Sequence, residues 1–146
     1  MKKEGSILIE VVASLMIISL TSTFIVKANI QNYRILKERM LSEEVNRTVY
    51  NIINEFKYNV DKNEINNLLE NNEVGFQYYD NFSEDLINKN ISDFQRGDDI
   101  KIMKVGEDEK KLKLKIEANI KEDNNEINVE EDFTKSWWMD DAEEVC

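Results

Sequence analysis

A chain of 146 residues with a formal charge of −11 has room for one small domain once an apolar N-terminal run is set aside. It has no histidine and a single cysteine, Cys146, so it lacks the commonest general base and metal ligand and cannot form an intrachain disulfide. Residues 1–57 carry eight Lys and Arg against six Asp and Glu, and residues 58–146 eleven against twenty-four, an acidic balance that favours solubility in an exposed setting and argues against general nucleic-acid affinity.

Residues 1–5 form a short leader with Lys2 and Lys3, ending at Gly5, and from Ser6 to Val26 the one charged residue is Glu10. A charged side chain at mid-bilayer costs roughly 2.5–3.5 kcal/mol even on lenient insertion scales. Glu10 therefore calls for a partner. If residues 1–5 are removed, Ser6 becomes a new amino terminus and Glu10 lies about one helical turn, or roughly 6 Å, further along. The new ammonium can then pair with Glu10 of its own chain, or with that of a neighbour shifted along a shared axis.

Lys2-Lys3-Glu4-Gly5 followed by Ser6-Ile7-Leu8-Ile9-Glu10-Val11 resembles the class III signal of type IV prepilins and pseudopilins. The resemblance covers about the first 25 residues; beyond them the chain follows only the family's general plan of a long helix followed by a sheet. It implies that a prepilin peptidase cuts after Gly5 and methylates the amino group of Ser6. It also implies that Glu10 pairs with a neighbouring amino terminus as an assembly platform lifts the subunit from the bilayer. The partners implied are the peptidase, other pilin or pseudopilin subunits and that platform, with no cofactor, no metal and no enzymatic activity. Ser6 stands where major pilins usually carry phenylalanine or methionine, and the chain has no proline, where many major pilins kink their helix with one. Both departures point to a minor subunit. The implied function is a structural part of a filament serving adhesion, motility, DNA uptake or protein secretion.

An ordinary signal anchor is the alternative, since Lys2 and Lys3 before an apolar stretch orient any single-pass protein with its N-terminus inside. The product is then a membrane-anchored extracellular binding or sensing domain that does not polymerise. A secretory signal peptide fits less well, because no small-residue cleavage site closes the run before Lys27. The uncharged stretch 11–26 gives only about 24 Å of helix, short of a ~30 Å hydrocarbon core; adding residues 7–9 makes up the length and buries Glu10. Ser14, Ser19, Thr21, Ser22 and Thr23 suit either close helix–helix contact or bonds to their own backbone. Either way the protein is placed in the cytoplasmic membrane through residues 6–26, with its C-terminal domain outside. The filament reading then moves it to the cell surface or envelope.

After Val26 the apolar residues become periodic: Ile30, Tyr33, Leu36, Met40, Leu41, Val45, Val49, Ile52, Ile53 and Phe56 recur mainly at threes and fours, one face of an amphipathic helix. With no glycine or proline between Ser6 and Phe56, a continuous helix of about fifty residues, roughly 75 Å, is predicted. Residues 27–60 form its amphipathic half. Residues 61–72 read as a polar segment with a short helical turn, 74–79 as a strand, and 81–94 as a loop or short helix. Strands at 100–105, 111–120 and 126–133, with turns at 106–110 and 121–125, make an antiparallel meander. In the middle strand Leu112, Leu114, Ile116, Ala118 and Ile120 alternate with Lys111, Lys113, Lys115, Glu117 and Asn119. Ile127, Val129 and Phe133 extend the apolar face. The fold class is therefore α+β, a long N-terminal helical spine, its first half transmembrane, packed on a small antiparallel sheet of three or four strands within an acidic domain over 61–146.

No catalytic group emerges. The acid pairs Asp98–Asp99, Glu107–Asp108, Glu130–Glu131 and Asp140–Asp141 fit solvated turns and edges, and Gly106-Glu107-Asp108-Glu109 lacks the spaced ligands of a calcium loop. Lys111, Lys113 and Lys115 make a cationic stripe; an exposed strand face protected from aggregation explains it better than contact with DNA phosphates. Trp137 and Trp138 are candidates for a partner contact, since aromatics buried between partners anchor interfaces, or for folding back over the sheet.

Overall fold

The structure, a computed structural model, describes residues 2–69, 71–108, 110–122, 125–136 and 138, with side chains from Ile7 onward. Two compact parts emerge, Met1–Met40 and Leu41–Cys146. The described residues of the first are all helix, belonging to α1 (Lys2–Asn54). Uninterrupted helix is what a stretch free of glycine and proline between Ser6 and Phe56 favours. Ile30, Tyr33, Leu36 and Met40 are exposed here, at 51%, 70%, 59% and 69%, although they continue the predicted stripe.

Within the second part the same stripe is buried: Leu41, Val45, Val49, Ile52, Ile53 and Phe56 line the core. At Asn54 α1 gives way to a π-helical turn, Glu55–Asn59, closed by the Val60 N–H donating to the Glu55 carbonyl at 3.1 Å. Two short helices, α2 (Lys62–Leu68) and α3 (Phe82–Asn88), flank the first strand, β1 (Glu73–Phe76). Asn71 and Asn72 turn the chain into β1 with φ of 55° and 69°, a left-handed geometry that asparagine tolerates better than most residues.

The sheet is antiparallel in the order β1-β2-β3-β4, with β2 at Ile100–Asp108, β3 at Lys111–Glu122 and β4 at Asn125–Ser136. Each of the three long strands runs further than its residue pattern indicates. Where a turn is expected at 106–110, pairing continues through Gly106↔Lys113 to Asp108↔Lys111, after a register shift between Lys104 and Gly106. Val105 is the extra residue of that bulge and is exposed; a bulge absorbs one residue without ending the ladder. The other expected turn, at 121–125, shrinks in the same way, because Glu122 pairs with Asn125.

Period-two alternation in β3 behaves as read: Leu112, Leu114, Ile116, Ala118 and Ile120 are buried, and Phe133 of β4 meets Phe56 edge-on at 6.4 Å between ring centres. On the same face of β4, Glu131 is exposed, a charge of the kind that blunts an open sheet edge. Lys135, next on that face, is buried. Its ammonium donates to the Lys57 carbonyl at 3.0 Å, an oxygen in the π turn that ends the helix, where carbonyls lack helical partners.

The opposite edge, β1, is covered by residues 95–97. The Gln77 N–H donates to the Gln95 carbonyl at 3.0 Å and the Gly97 N–H to the Gly75 carbonyl at 3.3 Å. This approach needs two glycines: a Cβ on Gly75 would lie 2.2 Å from the Gly97 oxygen, and one on Gly97 2.8 Å from Gln77 backbone atoms. Gly106, by contrast, faces open space. Gly75→Ala should therefore cost about 1–3 kcal/mol of stability, and Gly106→Ala should change it by less than ~1 kcal/mol. Urea unfolding of the full chain in lipid nanodiscs, followed by tryptophan fluorescence, measures both.

Candidate functional site

The N-terminal segment concentrates what the residue pattern singles out. Gly5 and Ser6 lie on the helical backbone of α1, and their side chains fall outside the described ones. Glu10 follows in the same helix and is exposed. Among the described residues its carboxylate has no ion-pair partner. Every large apolar side chain from Ile7 to Val26 is exposed as well. The stretch is long and apolar enough to cross a membrane.

The hydroxyls within this run turn inward on their own helix. Ser14 Oγ donates to the Glu10 carbonyl at 2.8 Å, Ser19 Oγ to that of Leu15 at 2.8 Å, and Thr23 Oγ1 to that of Ser19 at 2.8 Å. Thr21 Oγ1 is shared between the carbonyls of Ile17 and Ile18, at 3.0 and 2.9 Å. Ser14, Ser19, Thr21 and Thr23 thus find local satisfaction within their own helix. It suits an apolar medium, where an unpaired hydroxyl is expensive.

Among the described residues, several carboxylates of the acidic domain are taken up by cations or backbone donors. Asp98 pairs with Lys101 at 3.0 Å, while Asp99 Oδ2 accepts the Tyr78 N–H at 2.9 Å. Glu107 bridges Lys104 of its own strand and Lys62 of α2. Glu130 pairs with Lys115 at 2.7 Å, as Glu117 does at 2.8 Å, which draws the last lysine of the stripe into an ion-pair network and pushes the Lys115 ammonium pKa up. Desolvation, then a hydrogen bond to Asp85, raises the Tyr79 phenol to about 12; Lys89 and Tyr79 together hold Asp85 below the usual carboxylate range. Among the described residues no three His, Cys, Asp or Glu side chains converge as a metal site would need. Trp138 is 53% exposed; Trp137, Asp140, Asp141 and Cys146 lie outside the described residues.

One feature escaped the reading along the chain. Between the end of α1 and α3 lies a cleft of about 560 Å³, lined by Asn51, Asn54, Glu55, Tyr58, Asn59 and Asn88 among others. The first four follow helical spacing on the face opposite the core stripe. Such a polar face reads simply as wet, and its opposing wall, α3, arrives from some thirty residues away in sequence.

Compared with models of known families, with curated proteins and with solved structures, the chain finds no match.

The Glu107 bridge carries a pH signature. Its hydrogen bonds to Lys104 and Lys62 lower the carboxyl pKa from 4.5 to about 2. Because the folded value lies below the unfolded one, this contribution is complete above the unfolded pKa and is lost as pH falls through the folded one. Glu107→Gln should destabilise the domain at neutral pH, and the gap from wild type should close on acidification toward pH 2. Urea midpoints collected across that range provide the measurement.

Proposed function

We propose that this chain is a minor pilin or pseudopilin, a structural subunit of a type IV pilus-like filament. The observation that carries the reading is an apolar helix face that outruns any bilayer. Ile30, Tyr33, Leu36 and Met40 are exposed, and Met40 lies about 21 Å of helix beyond Val26. The headgroup zone adds only some 5–8 Å on each side of the hydrocarbon core. A solitary anchored protein leaves Leu36 and Met40 in water, at a cost of about 25 cal/mol for each Å² of apolar surface. A bundle of parallel copies covers them with neighbouring helices, along the same helix that holds Glu10.

In this account Lys2 and Lys3 keep the leader in the cytoplasm, and residues 6–26 store the subunit in the cytoplasmic membrane. Cleavage after Gly5 creates the amino terminus of Ser6, to which a prepilin peptidase adds a methyl group. Glu10 of an adjoining subunit then supplies the counter-charge. Neutralising both charges favours the stacked arrangement over the bilayer, so incorporation and extraction from the membrane are coupled. Other subunits, the assembly platform and the peptidase are the partners, and the acidic outer domain disfavours direct contact with DNA.

Mass spectrometry of the protein co-expressed with a prepilin peptidase tests the processing step. Loss of residues 1–5 with a methylated Ser6 is expected; an intact N-terminus favours a membrane-anchored binding domain instead. Glu10→Ala should insert into membranes as wild type does yet fail to enter filaments, scored by immunoblotting sheared fibres. Normal incorporation of that variant would remove Glu10 from the mechanism.

A further inference from the structure

The cleft between the end of α1 and α3 has the chemistry of a sugar site, and we propose that it binds a neutral saccharide. This rests on the outer domain alone and holds whether or not the chain enters a filament.

Four of the cleft's ten described lining residues, Asn51, Asn54, Asn59 and Asn88, are asparagines, against eighteen in the 146 residues of the whole chain. Composition alone would place about one there. Each primary amide carries two N–H donors and an acceptor oxygen. Asn59 Nδ2 already donates to Glu55 and Asn88 Nδ2 to the Glu84 carbonyl, which leaves each a second N–H and its oxygen for sugar hydroxyls, groups that also both donate and accept. Asn51 and Asn54 come from α1 and Asn59 from the π turn, while Asn88 faces them from α3. The polar groups therefore converge from two walls.

Charge disfavours a phosphate or a metal ion here. The domain carries a large excess of carboxylates, yet among the described residues this cleft is lined by one acid, Glu55, and one base, Lys89. Glu55 Oε2 accepts from Asn59 Nδ2 at 2.6 Å, and Lys89 Nζ is held by Asp85 at 2.8 Å. A phosphate finds no uncommitted cation here, and a metal ion finds too few oxygens with charge. Glu55 remains able to accept a further hydroxyl, because a carboxylate has about four acceptor sites.

The cleft also has an apolar surface suited to the C–H face of a pyranose. Tyr58 is 47% exposed and Ile87 84% exposed, and both line the space. An aromatic ring with one wet edge combines area with a hydrogen-bonding tip. The π turn that carries Tyr58 and Asn59 is a local departure from α geometry of a kind frequent at functional sites. The volume of about 560 Å³ lies within the range of small-molecule sites.

Saturation-transfer difference NMR on the full chain in lipid nanodiscs, free of sugar-based detergent, tests the proposal. The probes are glucose, galactose, mannose, N-acetylglucosamine, N-acetylgalactosamine and their common disaccharides. At least one should receive saturation from the wild-type protein. Tyr58→Ala and the double variant Asn54→Ala/Asn88→Ala should each weaken its binding about tenfold or more, while Tyr58→Phe retains most of it. Arg96→Ala, which removes a guanidinium that lies over the Phe76 ring in a different cavity, should leave binding unchanged. Matching circular dichroism and urea midpoints identify variants that fold normally. No transfer to any probe overturns the proposal, and so does binding that survives in both folded cleft variants.

Discussion

A sheet with one dry face must be covered, and in this protein the last four turns of α1 cover it. Leu112, Leu114, Ile116, Ala118 and Ile120 make β3 apolar on one side, and Leu41 to Phe56 make α1 apolar on one stripe. Neither surface is stable in water alone, since an amphipathic helix gains most of its stability from packing and a lone hairpin is marginal. Their contact, closed by Phe56 against Phe133, sets where every other element can sit. Two short helices fill the remaining flank: Phe82 of α3 lies against Phe76 of β1 and Phe94 at 6.5 and 4.8 Å. Thr48, buried in α1, exchanges a 2.7 Å hydrogen bond with Ser83, tying α3 to the helix that covers the sheet.

The same helix serves two different surroundings. Up to Met40 its large apolar side chains are exposed, and from Leu41 those of the core stripe are buried while Tyr50 stays exposed. A helix that carries hydrophobic residues around its circumference from Ile7 to Val26 is built for an apolar medium. The stretch from Ile30 to Met40 is intermediate, one-sided like a packed helix but without cover among the described residues. Its arginines, lysines and glutamates make full immersion in lipid costly. A helix–helix bundle satisfies both constraints, which is why this stretch favours the filament reading over a plain anchor.

Packing one face of α1 also decided what its other face can do. With the core stripe committed to the sheet, Asn51, Asn54, Glu55 and Tyr58 point to the side where α3 stands. Aligned amides and an aromatic ring thereby become walls of a cleft rather than a solvated surface. Its two charged groups are already engaged, Lys89 by Asp85 and Glu55 by the Asn59 amide. The open edge of the sheet is treated differently, with Glu131 exposed between Val129 and Phe133 on the core-facing side of β4.

Periodicity is a local property, and what it encodes was legible in the residues. The uncharged run to Val26, the stripe from Leu41 to Phe56 and the alternation from Leu112 to Ile120 each identify an element, and the last two also the side it buries. Ser6 and Glu10 stood out for the same reason, as exceptions to a local pattern. Pairing between distant segments left no such trace. The continuation of β2 past Val105, the glycine contact of Gly75 with Gly97, the buried Lys135 against the Lys57 carbonyl and the two-walled cleft were decided only by tertiary structure. Each joins residues whose patterns are individually unremarkable and whose meeting depends on register, which a linear reading does not contain.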